Sequence, residues 1–128
     1  MSDMNSATNR AVWFDIPVAD LDRAAAFYRA VLGIEVHKEK FDDFAFGVLD
    51  HHGGIGGCLI PKASEVSATA GILLYLNVDG RIRDAVGQTE KLGGKVLEPA
   101  QAIGAHGFRA VVLDSEGNRM ALHSTTDG

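Results

Sequence analysis

The sequence predicts an α+β domain in which two tandem βαβββ modules form an eight-stranded, cup-shaped sheet with the helices outside. Several short segments alternate apolar and polar residues, as half-buried strands do, and two longer segments repeat apolar residues at helical spacing. The order of one strand, one helix and three strands occurs twice. A length of 128 residues fits a single domain, so both modules belong to one fold.

The first module is predicted over residues 12–60. Alternation over residues 12–18 predicts its first strand, and Asp20 then caps a helix that Gly33 ends. The apolar stripe of this helix consists of Leu21, Ala24, Ala25, Tyr28, Val31 and Leu32. Three strands are predicted to follow, at about 34–41, 44–50 and 55–60, with a Gly-rich turn at 50–54.

The second module is predicted over residues 71–124, after a small, polar connecting segment at 61–70. Its helix begins near Ile82 and ends at Gly93-Gly94. Its strands are predicted at 71–78, 95–101, 108–114 and 119–124. Residues 1–10 are polar and are predicted to form a disordered tail.

An internal repeat supports this order. A shift of 60 residues aligns Val18 with Val78, and a shift of 64 residues aligns Val48 with Val112. An insertion of four residues near 101–107 reconciles the two shifts. Two such modules can pair through their first strands, and the interior of the resulting cup is the predicted pocket.

Composition excludes several classes of function. The formal net charge is −5, from 12 Lys and Arg against 17 Asp and Glu, so we expect no nucleic-acid partner. Cys58 is the only cysteine, which excludes an intrachain disulfide and a cysteine metal cluster. The first ten residues lack the apolar core of a signal peptide, and the longest apolar run is too short to span a bilayer. We therefore expect a cytoplasmic protein with no membrane partner.

Several short motifs, in this order and spacing, resemble the vicinal oxygen chelate superfamily, which includes glyoxalase I, extradiol dioxygenases, fosfomycin-resistance proteins and bleomycin-binding proteins. The first module carries Ile16-Pro-Val-Ala-Asp20, Ala26-Phe-Tyr28 and Leu32-Gly33. The second carries Tyr75-Leu-Asn-Val78, Gly93-Gly94-Lys95-Val96 and Asp114-Ser-Glu-Gly-Asn118, and the first two of these resemble an uncharacterised glyoxalase-related branch. The resemblance implies the predicted fold, and it also implies a homodimer.

Enzymes of this superfamily bind one divalent metal through side chains on four central strands. The resemblance and the repeat together place those positions at Trp13, Gly57, Leu73 and Ala121. None of these side chains is a metal ligand, because metal binding needs nitrogen, oxygen or sulfur donors that converge on one point. We therefore expect no metal and no other cofactor, and glyoxalase activity is not carried over.

A different lining is predicted for the cup. Alternation places Asp15 on the same side of its strand as Trp13, the repeat adds Leu73 and Tyr75, and the last strand adds Ala121 and His123. Such a combination of apolar surface and a few polar groups suits a small, partly aromatic organic molecule. The leading hypothesis is a metal-free binding protein of the bleomycin-resistance type.

Three alternatives remain open. The first is a metal-independent isomerase or lyase in which Asp15 and His123 are the acid–base pair. The second is a metal-dependent lyase or dioxygenase with shifted ligands at Asp15, Glu98 and His123. The third is a structural role, in which Asp15 is simply hydrogen-bonded and Trp13 fills the core. His106, between glycines, belongs either to a lid over the cup or to an exposed loop.

Overall fold

The computed structural model describes residues 9–128, and residues 1–8 of the predicted tail lie outside the described part of the chain. The eight strands are β1 Ala11–Val18, β2 Val36–Phe41, β3 Phe44–Leu49, β4 Cys58–Pro61, β5 Leu73–Asn77, β6 Lys95–Ala102, β7 Phe108–Leu113 and β8 Arg119–Ser124. The two helices are α1 Leu21–Leu32 and α2 Ile82–Lys91. Short 3-10 turns occupy Ala63–Glu65 and Gly104–His106.

The strands form one mixed sheet with the order β2-β3-β4-β1-β5-β8-β7-β6. The pairs β1–β4 and β5–β8 are parallel, whereas β2–β3, β3–β4, β6–β7 and β7–β8 are antiparallel. The predicted α+β class with two βαβββ modules is therefore confirmed. Among residues 9–128, neither helix is long and apolar enough to cross a membrane.

The chain divides into two compact units. The first unit contains residues 14–72, and the second contains residues 73–128 together with the described residues up to Trp13. The boundary therefore falls within strand β1, after its third residue.

The first unit packs helix α1 on one face of its strands. The Asp20 side chain accepts a hydrogen bond from the Arg23 amide at 2.9 Å, and Gly33 ends the helix with φ +67°. The helix packs on a buried cluster of Val18, Ala25, Val36, Leu49 and Leu59. The predicted stripe is wrong for Val31 and Leu32, which are 60% and 50% exposed, because the last helical turn extends beyond this cluster.

The second unit packs helix α2 on its strands in the same way. The buried cluster beneath the helix consists of Ile82, Ala85, Ala110, Val112 and Leu122. The C-terminal segment is fastened to the start of the helix, because the Asp79 carboxylate accepts hydrogen bonds from the Thr125 amide and hydroxyl, both at 2.6 Å.

In each unit the other face of the strands carries no helix, and we call it the helix-free face. Successive side chains on a strand point to opposite faces, so the residues between those of the helix-packed cluster define it. In the second unit it includes Leu73, Tyr75, Arg109, Val111, Ala121 and His123. In the first unit it includes Asp15, Val48, Cys58 and Ile60.

The cap of α1 gives a first testable prediction. Replacement of Asp20 by Ala removes the acceptor for the Arg23 amide and lowers the free energy of unfolding by about 1 kcal/mol. Asp20→Asn is the matched control, since asparagine caps a helix about as well as aspartate. Urea unfolding of the three proteins measures the difference, and an equal loss in both variants would contradict the assignment.

Candidate functional site

The helix-free face of the second unit brings together most of the predicted ligand-binding residues. Tyr75 on β5 lies directly opposite Ala121 on β8, and Leu73 and His123 lie two residues away on the same face. All four are buried, with Tyr75 4% exposed and His123 fully buried. Trp13 belongs to the same unit and is also buried.

Asp15, the remaining predicted ligand-binding residue, lies in the first unit. Its Oδ1 atom accepts a hydrogen bond from the Cys58 thiol at 3.2 Å. A hydrogen-bonded Asp15 was one interpretation of the sequence, although with Tyr75, Arg119 or a backbone amide as its partner, so the thiol partner was missed. The pairing of Asp15 with His123 as acid and base stays a prediction.

The register of β1 and β4 corrects one predicted position. Asp15 is paired with Cys58, so Cys58 and not Gly57 shares the helix-free face of the first unit. A Cβ atom on Gly57 would lie 2.4 Å from the ring of Phe14, which packs against the α1 cluster. The prediction for Gly57 is therefore wrong by one residue, and the fourth strand position carries a sulfur atom.

A metal centre has little to build on in this part of the chain. Among residues 9–128, no group of three or more His, Cys, Asp or Glu side chains is arranged to hold a metal ion. The alternative with shifted ligands at Asp15, Glu98 and His123 gains no support from this arrangement.

His123 has a defined protonation pattern. Its Nε2 atom lies 2.6 Å from the carbonyl oxygen of His106, and a carbonyl can only accept, so Nε2 carries the proton. Its Nδ1 atom is buried and has no hydrogen-bond partner within the described chain. Burial lowers the pKa of His123, although the bond to the His106 carbonyl opposes this effect. The imidazole is therefore neutral at pH 7, with a lone pair on Nδ1.

The loop that contains His106 packs against the end of β8. The Ile103 amide donates to the Gly107 carbonyl at 2.8 Å, which closes the loop around the 3-10 turn. Gly107 has φ +98°, and a Cβ atom there would lie 2.5 Å from the Ser124 carbonyl oxygen. Only glycine permits this approach, and the approach brings the His106 carbonyl to His123. The lid hypothesis stays a prediction.

Arg109 is the functional candidate that the sequence argument missed. Its Nη1 atom donates to the Tyr75 hydroxyl at 2.8 Å, and its Nη2 atom lies 3.4 Å from Oε1 of Glu98. The guanidinium carbon lies 5.9 Å from the centre of the Tyr75 ring, within reach of a cation–π interaction. Alternation along the predicted strand at 108–114 places Arg109 and Val111 on one face, and this signal could have identified the arginine.

The remaining histidines lie elsewhere. His51 and His52 occupy the turn after β3, where His52 is 90% exposed, and His51 lies 3.1 Å from the Gly54 carbonyl oxygen. The Asp50 carboxylate lies 3.0 Å from His37, and this contact lowers the pKa of Asp50. These side chains form a polar surface cluster around the turn of the first unit.

A groove of about 370 Å³ lies on the opposite face of the second unit, beside α2. Its lining is mainly apolar and includes Leu92, Val112 and Met120. Its charged groups bond to their own surroundings, since Arg81 lies 2.5 Å from Asp84 and the Asp114 carboxylate accepts from backbone amides of its turn. It contains none of the predicted site residues.

Residues 10–46 match the family described as bleomycin resistance protein-like N-terminal. A hypothetical protein from Bacillus halodurans C-125 has the same fold, with a TM-score of 0.71 at 15% identity over 94% of this chain and 97% of that one. Methylmalonyl-CoA epimerase from Mycobacterium tuberculosis gives a TM-score of 0.65 at 22% identity, over 97% and 95% of the two chains.

A methylmalonyl-CoA epimerase from Streptomyces coelicolor, in complex with 2-nitronate-propionyl-CoA, gives a TM-score of 0.65 at 23% identity, over 91% of this chain and 94% of that one. No curated protein matches the sequence.

The corrected register predicts the effect of a methyl group at position 57. Gly57→Ala places a Cβ atom against the Phe14 ring and lowers the free energy of unfolding by about 1–3 kcal/mol. Gly54→Ala is the control, because a Cβ atom there meets nothing within 4 Å and the expected change is within about 0.5 kcal/mol. Equal urea midpoints for the two variants would refute the register.

Burial of neutral His123 predicts a pH dependence. Below its ordinary pKa of 6.5 the unfolded chain binds a proton at this residue, whereas the folded protein binds it only at lower pH. Stability therefore falls as the pH falls from about 6.5 towards the lowered pKa. Urea unfolding between about pH 7 and about pH 5 should show a smaller loss for His123→Gln, which cannot titrate. Identical pH slopes for the two proteins would argue against a neutral, buried imidazole.

Proposed function

We propose that this chain, which has the fold of the vicinal oxygen chelate superfamily and a bleomycin-resistance-like first module, binds a small, partly aromatic organic anion on the helix-free face of its second unit. Binding requires no metal, because Trp13, Leu73 and Ala121 offer no metal-ligating atoms.

The contact between Arg109 and Tyr75 carries this proposal. The arginine side chain is only 20% exposed, so its charge is partly removed from water beside a buried aromatic ring. A planar guanidinium binds a carboxylate through two parallel hydrogen bonds, and its partial burial strengthens that interaction. The Glu98 contact is long at 3.4 Å and its side chain is 46% exposed, so a ligand carboxylate can compete with it.

Apolar neighbours supply the rest of the site. Leu73 and Ala121 flank Tyr75 on the same face, and they suit the ring or chain of an organic molecule. The epimerases that share the fold also support an organic acid, because one of them is in complex with methylmalonyl-CoA, which carries a carboxylate.

A second candidate function is proton transfer, with His123 as the base of an isomerase or lyase. The neutral imidazole favours it, since the lone pair on Nδ1 can accept a proton from a substrate carbon. This function requires turnover that is lost in both Asp15→Asn and His123→Gln while the fold is retained. Binding without turnover is expected from the leading proposal.

Native mass spectrometry of the protein purified without chelator tests the metal-free state. We expect a mass without metal, and a bound organic compound would identify the ligand directly. One metal ion per chain would contradict the proposal. The same spectrum checks the homodimer that the family resemblance predicts.

Benzoate is a simple probe for the role of Arg109. We expect Arg109→Gln to weaken benzoate binding about tenfold or more, because a charge-assisted pair is lost, and Tyr75→Phe to weaken it by less than Arg109→Gln. Arg23→Gln removes the same charge from the exposed side of α1 and should leave the affinity unchanged. Titration followed by NMR or calorimetry measures the three affinities. Equal affinities in Arg109→Gln and Arg23→Gln would show that the proposed site is wrong.

A further inference from the structure

The starting point is the second nitrogen of His123. Nε2 is committed to the His106 carbonyl at 2.6 Å, and the imidazole is neutral, so Nδ1 can act only as an acceptor. This acceptor is fully buried and has no partner within residues 9–128. A buried polar atom without a hydrogen bond is costly, and native proteins retain few of them.

The position of His123 relates this acceptor to the proposed anion site. His123 on β8 is the register partner of Arg109 on β7, and directly opposite residues of an antiparallel pair lie side by side on one face. The Tyr75 ring lies next to both, with its centre 6.5 Å from the centre of the imidazole and its hydroxyl bonded to Arg109. One face therefore presents an aromatic ring, a cation and an acceptor together.

We infer that Nδ1 of His123 accepts a hydrogen bond from the bound molecule, and that the ligand is an aromatic acid that also carries a hydroxyl group. This inference rests on the proposed function, because Arg109 must first hold the carboxylate. The hydroxyl donates to Nδ1, and the carboxylate accepts from the guanidinium.

Charge favours a hydroxyl over an ammonium group as the donor. An ammonium group beside Nδ1 would lie close to the Arg109 cation, and like charges repel strongly in a partly buried site. A hydroxyl group supplies the proton for the hydrogen bond without a positive charge. The bond requires no proton transfer, so the inference is independent of any catalytic role for His123.

The test compares benzoate with 2-, 3- and 4-hydroxybenzoate, which differ only in the presence and position of the donor. We expect at least one hydroxybenzoate to bind the wild-type chain about fivefold to tenfold more tightly than benzoate. Two variants separate the nitrogens of His123. His123→Asn keeps an acceptor near the position of Nδ1, whereas His123→Gln keeps a donor that reaches the His106 carbonyl.

The preference for the hydroxybenzoate should persist in His123→Asn and disappear in His123→Gln. A purely structural role predicts the opposite, since the variant that keeps the bond to His106 would then behave more like the wild type. Side-chain ¹⁵N NMR of the wild type gives a readout that does not depend on variants, because the Nδ1 resonance of His123 should shift with the hydroxybenzoate and not with benzoate.

Each failure has a different meaning. If benzoate binds through Arg109 and no hydroxybenzoate binds more tightly, the inference is overturned and the proposed function stands. If the Nδ1 resonance does not respond to any bound probe, the inference is likewise overturned. If none of the four compounds binds, both the inference and the proposed anion site are wrong.

Discussion

The parallel pairings β1–β4 and β5–β8 are the constraint on which the arrangement of each unit depends. A strand alternates its side chains between two faces, so the register of one pair decides which residues meet the helix and which form the helix-free face. In the second unit the register of Tyr75 with Ala121 directs Leu122 towards α2 and leaves His123 on the other face. The chemistry of the candidate site is therefore a consequence of a backbone register, which the packing of the helix stabilises.

Local signals allowed much of the fold to be predicted. Asp20 and Gly33 defined α1 because one side chain caps the first amides and glycine adopts the left-handed conformation at the end. Gly57 was misplaced for a different reason. Strand β4 has only four residues, so its alternation is too short to establish a face, and a repeat with two shifts leaves a one-residue ambiguity there. Only the partner strand resolves this ambiguity, and that partner is 43 residues away in sequence.

The site residues show the same division. Tyr75 and His123 could be predicted because their strands alternate clearly and the repeat relates them. The bond between His123 and the His106 carbonyl could not be predicted, since it depends on a loop whose approach is set by Gly107 and the Ser124 carbonyl. The role of Arg109 also depended on a contact across two strands. Sequence periodicity indicates which face a side chain occupies, whereas hydrogen-bond partners follow from distances between strands and loops.

The two units carry different chemistry at corresponding positions. By the repeat of 60 residues Asp15 corresponds to Tyr75, and by register Cys58 corresponds to Ala121. The Cys58 thiol donates to the Asp15 carboxylate, and this bond requires the sulfur to keep its proton. A metal ion would need the thiolate, which would place two negative charges side by side. The sulfur at the fourth strand position is therefore held in its neutral form by the carboxylate beside it, and this favours a hydrogen-bonded wall over a metal ligand.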